Sequence, residues 1–106
     1  MFYILNENKI PVKVTNLEYY DWYMQNDGKN ITVNFTKMPE GVVISTVFLG
    51  IASSFLNNAP PLFETMIFGG QYDNFQKRYR TWEQALEGHQ HAINLVVSTE
   101  KKYQKN

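Results

Sequence analysis

Two apolar runs, Val42 to Leu49 and Leu62 to Phe68, constrain this chain more than any other feature. Each is too short for a buried helix, rich in β-branched and aromatic residues, and closed by turn formers: Pro39-Glu40-Gly41 precedes the first and Gly69-Gly70 follows the second. Such runs form strands. The first is interrupted only by Ser45 and Thr46 and is apolar on both faces, which predicts a central strand with neighbours on each side. The second is interrupted by Glu64 and Thr65. The twelve residues between them, Gly50 to Pro61, carry no secondary-structure pattern and read as a functional loop.

The rest of the chain supplies elements to surround this pair. Phe2 to Leu5 and Ile10 to Val14 flank Asn6-Glu7-Asn8-Lys9 as the arms of a hairpin, and Pro11 marks the second arm as an edge. Asn16 is the expected N-cap of a helix running to about Asn26 and stopped by Asp27-Gly28. That helix bears Leu17, Tyr19, Tyr20, Trp22, Tyr23 and Met24 on more than one face, so burying one stripe leaves aromatic surface over. Ile31, Val33 and Phe35 alternate with polar residues as a half-buried strand, and Asn74 to Arg80 reads as a further, more polar one. Thr81 with Gln84 makes a capping box for a last helix, on which Trp82, Ala85, Leu86, His89, Ile93, Val96 and Val97 recur at helical spacing to about Thr99. The polar end, Glu100 to Asn106, is expected to fray. The expected fold is α+β: an N-terminal hairpin, a helix, an antiparallel sheet of about four strands, and a long C-terminal helix packed on one face. Residues 1–100 form one domain and 101–106 a polar tail.

Composition excludes several functions. Ten basic and ten acidic side chains cancel, which argues against a general nucleic-acid binder. The absence of cysteine rules out disulfides, thiolate metal sites and a cysteine nucleophile, and fits a reducing compartment. No run approaches the length of a spanning helix and no leader is recognisable, so a cytosolic protein is expected.

Three motifs follow one another in fixed order: Ile44-Ser45-Thr46-Val47-Phe48-Leu49-Gly50, Pro60-Pro61-Leu62-Phe63-Glu64-Thr65-Met66-Ile67-Phe68-Gly69-Gly70, and Arg78-Tyr79-Arg80-Thr81-Trp82. With Ala85, Gly88-His89, Leu17, Trp22 and Tyr23, they resemble a family of small uncharacterised proteins widespread in bacteriophages and prophages. The resemblance runs from about Leu17 to His89 and implies a phage origin and a role in the cytosol of an infected cell. Many relatives carry an Asp-His or Asn-His pair just after the first glycine. Ala52-Ser53 stands there in this chain, which removes the basis for a histidine-dependent activity at that place.

Individual residues offer further chemistry, each with a structural alternative. Glu64 shares a strand face with Leu62, Met66 and Phe68 and needs a partner, for which Arg78, Arg80 or a Tyr hydroxyl would serve; otherwise it is a ligand-binding or acid carboxylate. His89 lies on the apolar stripe of the last helix, either as a hydrogen-bonded core histidine or as a functional base. Gly88 beside it implies close backbone approach. His89 and His91 do not share a helical face and cannot ligate a metal together. Ser45, Ser53 and Ser54 lack a nucleophile elbow, and Gly69-Gly70 is a turn rather than a phosphate loop. Lys77, Arg78 and Arg80 form the densest basic cluster, read as a solvated edge, a partner for Glu64 or an anion clamp.

Three functional classes remain open. The first is a non-enzymatic accessory protein that binds and modulates or inhibits a host protein, of the anti-defence or anti-CRISPR type. Its binding residues would be Tyr19, Tyr20 and Tyr23 on the first helix and Ile51, Phe55 and Leu56 in the loop, and the same surface could make a homodimer. The second is a small anionic-ligand or nucleotide binder with Glu64, Arg78, Tyr79, Trp82 and His89 around a cleft, Trp82 stacking on a base. The third is a minimal acid–base enzyme using Glu64 and His89. None of the three calls for a cofactor, a metal or a membrane.

Overall fold

The computed structural model describes residues 1–26, 31–52 and 60–104, with side chains through Ser98. Strands β1 (Phe2–Leu5) and β2 (Pro11–Val14) pair antiparallel as a two-stranded hairpin. Helix α1 (Asn16–Gln25) follows. Strands β3 (Thr32–Lys37), β4 (Val43–Phe48), β5 (Phe63–Phe68) and β6 (Gln76–Tyr79) then build an antiparallel sheet in the order β3-β4-β5-β6, and helix α2 (Trp82–Gln104) packs against it. This is the expected α+β architecture, with the two apolar strands in the middle of the sheet.

Pairing between the central strands sets the core. Ile44 stands opposite Ile67, Thr46 opposite Thr65, and Phe48 opposite Phe63, and all six side chains are buried beneath α2. At one end Phe48 and Phe63 join Leu5, Leu62, Tyr79 and Ala85. Ring contacts continue outward, Trp22 of α1 meeting Phe48 edge-on at 6.0 Å and Trp82 of α2 meeting Phe63 at 6.3 Å. At the other end Ile44 and Ile67 join Val42, Ala92 and Val96. The alternate residues of the central strands, Val43, Ser45 and Val47 with Glu64, Met66 and Phe68, face the other side of the sheet, which no described helix covers.

Several local expectations need correction. Thr15, not Asn16, caps α1: its hydroxyl accepts the Glu18 N–H at 3.2 Å and the Glu18 carboxylate accepts the Thr15 N–H at 2.9 Å. A cap at Asn16 would have put Tyr19 where the box needs an acceptor. A register shift between Thr32 and Asn34 breaks the alternation of β3. Phe35 is therefore exposed, and Thr36 turns under α2 in its place. Thr81 does accept the Gln84 N–H at 3.0 Å, but the Gln84 side chain bonds the Arg80 N–H instead of closing a reciprocal box. Leu86 is exposed, and Ala92 takes a place on the buried stripe. Finally, α2 runs through Gln104, past the expected end near Thr99.

Candidate functional site

Helix α1 is amphipathic in an unusual sense, being apolar on two opposite sides. Tyr19 and Trp22 turn inward, where Tyr19 lies 5.3 Å from the ring of Phe2 and Trp22 reaches Phe48. Leu17, Tyr20 and Met24, spaced by three and four residues, form a stripe facing the other way. They are 77 %, 59 % and 55 % exposed, and no residue of α1 is fully buried. Tyr23 flanks the stripe, exposed, with its ring centroid 6.2 Å from that of Tyr19. Partial burial raises the pKa of the Tyr19 hydroxyl above its ordinary value, and the nearby Tyr23 hydroxyl raises it further.

The start of the long loop is held next to this helix. Gly50 accepts the Tyr3 N–H at 2.8 Å, Met1 accepts the Ala52 N–H at 3.0 Å, and Ile51 bridges to Phe2, so residues 50–52 extend the edge of β1. Gly50 adopts a positive φ of 74°, and a Cβ built there would lie 2.7 Å from the ring of Tyr19. Glycine is thus required for α1 to seat against the loop. Ile51, 55 % exposed, lies beside Phe2, whose ring meets that of Tyr19. Of the residues expected to bind protein, Tyr19, Tyr23 and Ile51 gather at this corner, Tyr20 stands on the outward stripe, and Phe55 and Leu56 lie outside the described residues. Leu17 and Met24 complete the surface and were missed as site residues; the spacing of Leu17, Tyr20 and Met24 was the available clue.

The residues expected around a ligand cleft do not assemble. Glu64 lies on the uncovered side of the sheet, where it accepts from Arg78 Nε at 2.9 Å and from the Gln76 amide. Tyr79 of β6 and Trp82 and His89 of α2 belong to the opposite side, between the sheet and the helix. His89 is buried, with Nδ1 at 2.7 Å from the Thr46 hydroxyl and Nε2 at 2.9 Å from that of Thr36, while Thr46 and Thr65 share a 2.6 Å hydrogen bond. Burial lowers its pKa below the ordinary 6.5, which keeps the ring neutral. It is a core histidine with both ring nitrogens partnered. Glu64 and His89 therefore cannot act as an acid–base pair, because the sheet separates them. Arg78 and Tyr79 do line a groove of about 530 Å³ with Lys77, Gln84, Glu87, Gly88 and His91, but Glu64, Trp82 and His89 are not part of it.

Among the described residues no group of His, Cys, Asp and Glu could hold a metal ion, and no helix is long and apolar enough to cross a membrane. Compared with known proteins, the chain matches no family profile, no curated protein and no solved structure.

Proposed function

We propose that this chain is a phage-encoded, non-enzymatic accessory protein that binds a host protein and modulates or inhibits it, as an anti-defence factor would. The supporting observation is the outward stripe of Leu17, Tyr20 and Met24, flanked by Tyr23, because large apolar and aromatic groups left together on a surface are the usual anchors of protein interfaces. The resemblance to phage-encoded proteins supports a host protein as the partner. A helix that lays an apolar stripe into a groove is one of the recurring modes of recognition, and α1 has the right spacing for it. The small-ligand reading lacks comparable support, since its residues divide between the two faces of the sheet.

The test is affinity capture from host lysate with the wild-type chain and with the double variant Leu17→Ser, Tyr20→Ser. Both positions are exposed, so the variant is expected to keep its stability within about 0.5 kcal/mol. It should lose the specific partner, with a cost of about 2 kcal/mol or more in binding free energy once that partner is purified. Undiminished capture by a folded double variant would refute the assignment to α1.

A further inference from the structure

Strand β6 is the last in the sheet, and among the described residues nothing pairs with its outer side. The alternation of the ladder decides what that side offers. The Ile67 N–H donates to the Phe75 carbonyl, and stepping by two residues along both strands makes Thr65 with Lys77 and Phe63 with Tyr79 the pairs that exchange hydrogen bonds. The N–H and C=O of Gln76 and Arg78 therefore point away from β5. The next residue in that phase behaves accordingly: the Arg80 N–H is taken by the Gln84 side chain at 3.0 Å.

The groove of about 530 Å³ runs beside this edge, between β6 and α2. On the helix, Gln84, Glu87, Gly88 and His91 recur at one-face spacing along it. Gly88 allows the ring of Tyr79 to lie directly on the helix backbone, since any Cβ there would overlap that ring. A strand added to β6 would thus place alternate side chains into the groove over Tyr79 and the others on the side of Arg78.

Charge selects the kind of strand. A second copy of the chain, paired antiparallel about a two-fold axis through Lys77 or through Arg78, would set that cation directly against its own copy, and directly opposed like charges are destabilising. Edge lysines are a common guard against such self-pairing. For an acidic strand the same cations become attractive. Lys77 and Arg78 are exposed, Arg78 while giving its Nε–H to Glu64 on the far face of the sheet, and among the described residues Glu87 is the sole carboxylate lining the groove. We propose that β6 accepts an acidic segment in extended conformation as an additional strand of the sheet, held by the main chain of Gln76 and Arg78 and by carboxylates directed at Lys77 and Arg78. This surface is separate from the α1 stripe and would operate independently of it.

A yeast-displayed library of random peptides sorted against the full chain tests the idea. Enrichment of peptides with Asp or Glu at alternate positions is expected. The strongest, made as a free peptide, should slow hydrogen exchange at the Gln76 and Arg78 amides, weaken on the order of tenfold against Lys77→Glu, tighten against Glu87→Gln, and stop binding when its alternate amides are N-methylated. Enrichment of basic or wholly apolar peptides, no enrichment, or a bound peptide that leaves those two amides unchanged would overturn the proposal. Protection of the same amides by raising protein concentration alone would also overturn it, in favour of a second copy.

Discussion

At the scale of single residues, Gly88 shows how a contact can reverse a propensity. Glycine inside a helix costs roughly 1 kcal/mol relative to alanine, so Gly88→Ala would be stabilising if only α2 mattered. Here the added Cβ falls within the outer end of the Tyr79 ring, which packs against Ala85 and Phe63 and must turn into the groove beside β6, giving up that packing. The expected result is a loss of about 1–3 kcal/mol, read from the midpoint of urea denaturation. Tyr79→Leu introduced with it should return part of that loss, because the clash and the ring are one feature. The close approach at Gly88 was legible from its position beside His89 on the apolar stripe. Its partner, Tyr79, was not, since nothing in sequence spacing says which strand residue crosses which helical turn.

At the scale of elements, a polar layer divides the core beneath α2. The apolar groups around Phe48 and Phe63 lie on one side of it and those around Ile44 and Ile67 on the other, with Thr46, Thr65 and His89 between and Thr36 reaching in from β3. This layer fixes α2 to three strands at one level, because a slip of the helix would leave the buried imidazole without acceptor or donor. It also makes the docking of α2 sensitive to pH. The folded-state pKa of His89 is depressed, so its contribution is complete above the unfolded value of about 6.5 and is lost as pH falls from there toward the depressed folded-state pKa. Urea midpoints measured from about pH 7.5 downward should fall through that window in the wild type, and the decline should flatten in His89→Gln, although that variant starts from lower stability. An unchanged slope in the variant would assign the decline to other groups. The sequence left His89 either a core histidine or a functional base, and its partner Thr36 was hidden by the register shift in β3. Alternation predicted that Phe35 would face inward, and a single-residue bulge exchanged it for Thr36. Bulges leave no mark on periodicity that a strand of six residues can reveal.

At the scale of the molecule, the six strands and two α-helices of the described residues followed from apolar runs, turn formers and capping patterns, since each is a local property of the chain. What those patterns left open was the assignment of faces. Glu64 and His89 are both buried polar residues on apolar runs, yet they lie on opposite sides of the sheet and serve different partners, Arg78 and Gln76 for one and threonines for the other. Among the described elements α1 carries the most exposed large apolar groups, since it contributes Tyr19 and Trp22 to the fold and keeps Leu17, Tyr20, Tyr23 and Met24 outside. A helix that needed only to cover the hairpin would carry polar residues at those positions. The outward stripe is therefore the centre of the functional account. Its most direct test is hydrogen exchange measured along the entire chain with and without the purified captured partner. Slowed exchange should cover residues 17–24 and 50–52, with the uncovered face of the sheet unchanged. Protection confined to other elements, with α1 exchanging as in the free protein, would contradict the account.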